Sequence, residues 1–317
     1  RAIDNMISKG IIAAGHEETA RAGQIILDEG GNAFDAAMGA FCAACVVEPV
    51  FASLGGGGFL LAHSPAKSFR SVLYDFFVQT PKKRRLPEEV DFFPILADFG
   101  EAQQKFYAGL GSMATPGSVK GLFQVNRELG SMPMEKIIEP AVKLAKEGVV
   151  VNQLQGYIFS IVKKIFTSNE SCIRAFSPPK QKGKLVGAGD LLIMPEFADT
   201  LDALAHEGDD LFYRGEIGEK LAKDCKETGG HLFRVDLESY QLKRRSPLHI
   251  EYSESKILTN PPPSTGGILI AFGLGLLEET DLFQTKFGSK KYLELLAKTM
   301  ILTNEARIES SLQENPR

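Results

Sequence analysis

The stretch VVEPVFASLGGGGFLL, Val46 to Leu61, decides how the first part of this 317-residue chain reads. An apolar helical pattern, DAAMGAFCAACVV, runs up to Glu48-Pro49 and stops there, because proline cannot continue a helix. Four glycines, Gly55 to Gly58, come next, and Phe59 and Leu60 then open a strand. The run is not a GxGxxG fingerprint, since a strand and not a helix follows it. It is not a phosphate-binding loop, since no Gly-Lys-Ser/Thr completes it. Glycines in such numbers permit tight backbone geometry or close approach of another segment. A structural turn and a backbone wall of an active site both remain open.

Upstream, HEETARAGQIILDEGG begins with acidic residues and stops at Gly30-Gly31. Asn32 is the expected cap of the next helix, with Asp35 in its first turn. That helix is apolar nearly all round, which predicts deep burial. Its Cys42 and Cys45 form a CxxC, but no second pair follows, so they read as small core thiols. The five histidines show no ligand spacing, and no metal site is expected. Downstream, Thr115 and Pro116 are expected as N-cap and first residue of a helix in TPGSVKGLFQVNRELG. Further helices are predicted in PMEKIIEPAVKLAKEG, PEFADTLDALAHEG and GEIGEKLAKDCKETGG, with a long one from about Lys290 to Ser311. Strands are predicted in GIIAAG, GFLLAHS, SVLYDFFVQ, LHIEYSES and KILT. No repeat and no polar linker divides the chain, so residues 1–317 read as a single domain, without the cadence of a doubly wound sheet.

Composition narrows the partners. A net charge of -4 argues against nucleic acid or an anionic membrane surface. The basic run Lys82-Lys83-Arg84-Arg85 is then a local feature, on first reading a solvated loop. The longest apolar runs fall short of the roughly 18 residues of a membrane span. The segment RAIDNMISKG has neither an initiator methionine nor the apolar centre of a signal peptide, which suggests a mature or trimmed chain. Unpaired cysteines lean towards a reducing compartment, favouring the cytoplasm over the periplasm or exterior.

Chemistry is harder to find. In NPPPSTGG, Asn260 to Gly267, the prolines hold an extended segment and Ser264 or Thr265 is expected to cap the following helix. The GxSxG of a nucleophile elbow is absent. Spacing justifies no Ser-His-Asp or Cys-His set, so the chain presents a scaffold without a nucleophile.

Taken together, the motifs resemble the large, N-terminal subunit of the γ-glutamyltranspeptidase family. The resemblance rests on AAGHEETARAGQIILDEGGNAFDAA (Ala13 to Ala37), VVEPVFASLGGGGFLL, ATPGSVKGL, EPAVKLAKEGVVV, LFYRGEIGEKLA, GGHLFRVDLESYQ, PPPSTGG and NEARIE, in order along the chain. It implies an α+β, N-terminal-nucleophile hydrolase αββα sandwich, completed by a small subunit cut from the same precursor. It further implies γ-glutamyl transfer or hydrolysis, on glutathione and related amides, with no cofactor. The nucleophile would be the N-terminal threonine of that small subunit, with its free α-amino group as base. No catalytic residue is then expected in this chain. It starts at Arg1, and its end at Pro316-Arg317 would precede the cleavage site.

One segment departs from the pattern. The family's strand ends in a sequence like LDFRETAP, whose arginine grips the substrate α-carboxylate with two parallel hydrogen bonds. On YDFFVQTP this register puts Asp75 and Phe76 on the acidic-aromatic pair, Phe77 on the arginine and Gln79 on the threonine. Phe77 cannot hold a carboxylate. Either Arg84 or Arg85 replaces the lost charge, or the partner subunit does, or the substrate lacks that group. Phe77, Asp75, Gln79, Arg84 and Arg85 are therefore the candidate substrate-binding residues. The alternatives are a same-mechanism acylase for glutaryl-type or poly-γ-glutamyl amides, and an unprocessed, non-catalytic homologue.

Overall fold

Helix α1 (Glu17–Asp28) starts where His16 Nδ1 accepts the Glu18 amide at 3.1 Å, with Glu17 and Glu18 beside the positive end of the helix dipole. The computed structural model describes residues 10–64 and 71–310. Arg1, Ser311 and Pro316-Arg317 lie outside the described residues. Thr19, Ala22, Gly23, Ile26 and Leu27 of α1 are buried, the three-and-four spacing of an amphipathic helix.

Helix α2 (Ala33–Val47) has the predicted cap. Asn32 Oδ1 accepts the Phe34 and Asp35 amides at 2.8 and 3.1 Å, and Asp35 accepts the Asn32 amide at 2.9 Å. Asp35, fully buried, also accepts the Ser131 amide at 3.0 Å and the Ser131 hydroxyl at 2.5 Å, tying the start of α2 to a loop 96 residues away. Gly23 and Gly39 allow close crossings. A Cβ on Gly23 would lie 3.0 Å from the Ala36 carbonyl, and one on Gly39 would lie 3.1 Å from the Ile137 carbonyl. Cys42 and Cys45 are buried free thiols, as expected of core residues. Burial pushes Cys42 up to about 12 and also raises Cys45, so neither is a nucleophile at neutral pH.

The chain divides into two compact units, one of residues 1–58 and 76–242, the other of 59–75 and 243–317. In the first, α3 (Ser118–Leu129), α4 (Met134–Glu147), α5 (Pro195–Glu207) and α6 (Glu216–Thr228) join α1 and α2, with α4 packed on both α2 and α5. The second holds an antiparallel sheet in the order Phe59–His63, Ser71–Asp75, Lys243–Arg245. Its other elements are the hairpin Leu248–Tyr252/Ser255–Thr259 and helices α7 (Thr265–Glu278) and α8 (Lys290–Glu309). No described helix is long and apolar enough to cross a membrane.

Four local expectations change. Residues 10–15 form no strand. The strand through SVLYDFFVQ ends at Asp75, and Gly58 and Phe76, the next pair in the same register, close the ladder with backbone hydrogen bonds to each other. Helix α3 begins at Ser118 with Gly117 as N-cap; Thr115 instead pairs its backbone with Gln79. Ser264 sits at the N-cap of α7 but its side chain makes no capping bond.

Asp35→Ala would take the acceptor from the half-buried Asn32 amide and from the amide and hydroxyl of Ser131, and so cut the tie between α2 and the Ser131 loop. We expect a loss of about 3 kcal/mol, read as a lower denaturation midpoint at unchanged slope.

Candidate active site

The glycine run is a wall of backbone. Ser53 Oγ accepts the Gly55 amide at 3.0 Å and turns the chain. The Gly56 carbonyl then accepts the amides of Gly117 and Ser118 at 2.8 and 3.1 Å. Gly58 and Phe76 exchange backbone hydrogen bonds at 3.3 and 3.1 Å. A Cβ on Gly57 would lie 2.6 Å from the Val78 nitrogen and 2.7 Å from the Phe76 carbonyl oxygen. No positive φ is involved, so glycine is required here for close approach. The turn and the wall are one feature: a turn that lets another backbone lie against it.

That backbone is Phe76–Gln79. The Phe76 ring is held between Gly58 and Gly121, and side chains at either glycine would press on it. Phe77 points the other way and is 53% exposed. Gln79 is fixed twice, by backbone bonds with Thr115 at 3.1 and 2.8 Å and by Nε2 donating to the Gln241 carbonyl at 2.8 Å.

Two tyrosines hold the assembly. The Tyr240 hydroxyl donates to the Phe77 carbonyl at 2.8 Å, and the Tyr213 hydroxyl donates to the Pro116 carbonyl at 3.0 Å. Their rings stack at 5.7 Å. Burial pushes the Tyr213 phenol well up, so it stays a donor. Lys120 lies 4.5 Å from the Tyr213 ring centre and 2.6 Å from Asp209, which Arg127 meets at 2.9 Å. Burial pushes the Asp209 carboxyl up. The hydrogen bonds and charges of Arg127 and Lys120 outweigh it, and its pKa ends below the ordinary value.

The remaining candidates fall apart by role. Asp75 belongs to the second unit, where it pairs with Arg245 at 2.6 Å. Arg85 donates to the carbonyls of Gly230 at 2.6 Å, Lys226 at 2.9 Å and Cys225 at 3.3 Å, closing the C-terminal end of α6. Lys82 is also anchored, its amide on Asp236 and its ammonium on Ser239. Arg84 is exposed and has no hydrogen-bond or ion-pair partner among the described residues. Half of the basic run is therefore structural. Among the described residues no group of histidine, cysteine or carboxylate side chains has metal-binding geometry. Tyr213 and Tyr240 escaped sequence reasoning, and Thr115 was read there only as a helix cap. The partner of Tyr240 is 163 residues distant, and only the tyrosines inside LFYRG and LESYQ hinted at them.

The sequence model of the γ-glutamyltranspeptidase family matches residues 19–314. The glutathione hydrolase proenzyme of Escherichia coli (strain K12) is 32% identical over 292 residues, 91% of this chain and 48% of that protein. The acylase ACY 1 proenzyme of Pseudomonas sp. (strain V22) is 30% identical over 298 residues, 92% of this chain and 52% of that protein. The chain thus spans about half the length of the curated relatives it matches. The crystal structure of Helicobacter pylori gamma-glutamyltranspeptidase aligns with a TM-score of 0.82 at 29% identity, over 94% of this chain and 83% of that one. The Bacillus anthracis transpeptidase enzyme CapD aligns at 0.74 and 22% identity, over 95% of this chain and 93% of that one, a likeness of fold alone. The fold is α+β, of the N-terminal-nucleophile hydrolase kind.

Because the folded-state pKa of Asp209 is depressed, its stabilising share is full above the unfolded value near about 3.9 and is lost as pH falls through the folded value. The gap in melting temperature between the wild type and Asp209→Asn should be open at pH 6 and close progressively below roughly pH 4. A gap independent of pH would remove this account. Separately, Tyr240→Phe should cost about 1 kcal/mol in denaturant unfolding.

Proposed function

Since this chain belongs to the γ-glutamyltranspeptidase family, we propose that residues 1–317 act as one large-subunit domain of a two-chain amidase or acyltransferase. The observation that carries the reading is the family match over residues 19–314, together with relatives named as proenzymes. The lengths agree with a cut precursor. The matched stretch covers 48% and 49% of two curated proenzymes but 83% and 86% of two solved γ-glutamyltranspeptidase chains.

In this mechanism the threonine hydroxyl exposed by cleavage attacks the carbonyl carbon of a γ-glutamyl amide. Its own α-amino group takes the proton, and hydrogen-bond donors steady the oxyanion. The amine leaves with that proton, and water or an acceptor amine then breaks the acyl ester. The part of this chain is positional. The glycine wall, the Tyr240 hydroxyl and the Gln79–Thr115 bridge fix the backbone at Phe77, where the family resemblance puts the group that receives the substrate carboxylate.

Phe77 favours a second reading of the substrate. An exposed phenyl ring offers apolar contact and no hydrogen bond, and the loss of a charge-assisted clamp costs about 2–5 kcal/mol in binding. Arg85 is committed to α6, which leaves Arg84 as the nearby arginine with an open guanidinium. A same-mechanism acylase for amides lacking the α-carboxylate fits this better than a glutathione hydrolase, and one relative is named an acylase.

Denaturing electrophoresis of the complete gene product should show two chains; a single uncut band would sink the catalytic reading and leave a non-catalytic homologue. On a γ-glutamyl anilide the wild type should be weak, and Phe77→Arg should lower KM roughly tenfold or more. Tight wild-type binding that Phe77→Arg abolishes would refute the substrate reading.

A further inference from the structure

Basic residues gather in one segment of a chain whose net charge is -4. From Ile173 to Val186 stand Arg174, Lys180, Lys182 and Lys184, with no acidic residue among them. Lys184 is spent locally, donating to Gln181 Oε1 at 2.8 Å. Arg174 and Lys182 have no hydrogen-bond or ion-pair partner among the described residues. The loop that carries Lys182 is nonetheless held in shape. Ser177 Oγ accepts the Gly183 amide at 3.1 Å and donates to the Ile173 carbonyl, and the Val186 amide donates to the Phe176 carbonyl at 2.9 Å.

This loop, the short helix Glu170–Ala175 and the start of α5 enclose two adjoining cavities of about 360 and 380 Å³. Arg174, Ile193 and Pro195 line both, so the two are lobes of one groove. Each lobe has the size of an ordinary small-molecule site. Their chemistry differs. Beside the loop, Lys182 joins Arg174 and no carboxylate lines the lobe. In the other lobe Ala175, Met194 and Phe197 add apolar wall, and Glu196 is the one acid. The hydroxyls of Ser177 and Thr200 are both spent on helix carbonyls, so the groove offers a place to bind and no nucleophile.

We propose that this groove binds a monomeric amphiphilic carboxylate, with its head between Arg174 and Lys182 and its tail over Ile193, Met194 and Phe197. A carboxylate there receives charge-assisted hydrogen bonds from a guanidinium and an ammonium that have no other partner. The tail leaves water for apolar side chains, and Glu196 at that end keeps a second anionic group out. Nothing in the groove comes from Phe76–Gln79 or from the tyrosines that support it.

The complete gene product, titrated calorimetrically at low salt with decanoate below its micelle concentration, should show one saturable site with a submillimolar Kd. Decanol and inorganic phosphate each offer half of the ligand and should bind at least about tenfold more weakly. Arg174→Gln should weaken decanoate roughly tenfold and Lys182→Gln severalfold. Ala175→Trp, which fills the tail lobe, should remove binding. All three positions are exposed, so the ligand-free variants should melt with the wild type. No saturation below millimolar decanoate overturns the inference. Decanol binding as well as decanoate leaves only an apolar cleft, and phosphate binding as well leaves only a basic patch; either result overturns it too. So does unchanged affinity in both Arg174→Gln and Ala175→Trp, which would put decanoate elsewhere. The titration reads binding and not turnover, so its outcome is independent of whether the gene product is cut.

Discussion

The approach of one backbone to another, Gly56–Gly58 against Phe76–Val78, is the constraint around which the first unit is arranged. With a Cβ on Gly57 allowed only 2.6 Å from the Val78 nitrogen, no other residue fits without moving the main chain. The approach lets Gly56 receive the first amides of α3 and lets Gly58 pair with Phe76. Phe76 turns its ring inward against Gly121 as a consequence, and Phe77 is turned out.

Such an arrangement needs a second support, since a glycine-rich turn is flexible when nothing holds it. The stacked pair Tyr213–Tyr240 provides it, with one hydroxyl on the Phe77 carbonyl and the other on the Pro116 carbonyl. Behind the stack, Asp209 joins Lys120 to Arg127, and Lys120 lies over the Tyr213 ring. Each group in this chain is satisfied by the next, the condition under which a half-buried polar network stiffens a structure. The Phe76–Gln79 segment is thus placed by hydroxyls and backbone, while the Phe77 side chain stays exposed.

Much of the fold was legible because its signals are local. The Asn32 cap, the glycine stop after α1, the all-apolar α2 and the long C-terminal helix each follow from neighbours within one or two turns. The misreadings were local too, where a distant partner outbid a neighbour. Thr115 had the residues of a helix cap, but Gln79 lies opposite and takes its backbone instead. Arg85 looked like part of a solvated tail, and the carbonyls that end α6, about 140 residues on, claim its guanidinium.

The sequence by itself determined the family and its architecture, because motif order and helix punctuation are written in consecutive residues. It also raised the expectation that Phe77 stands where the resemblance puts an arginine. The tertiary structure alone decided which basic residues are committed and which are open, and what holds the Phe77 carbonyl. The physical reason is the same for both. Hydrogen bonds, stacking and burial depend on distance in space, and residues separated by a hundred or more positions meet only when the chain has folded.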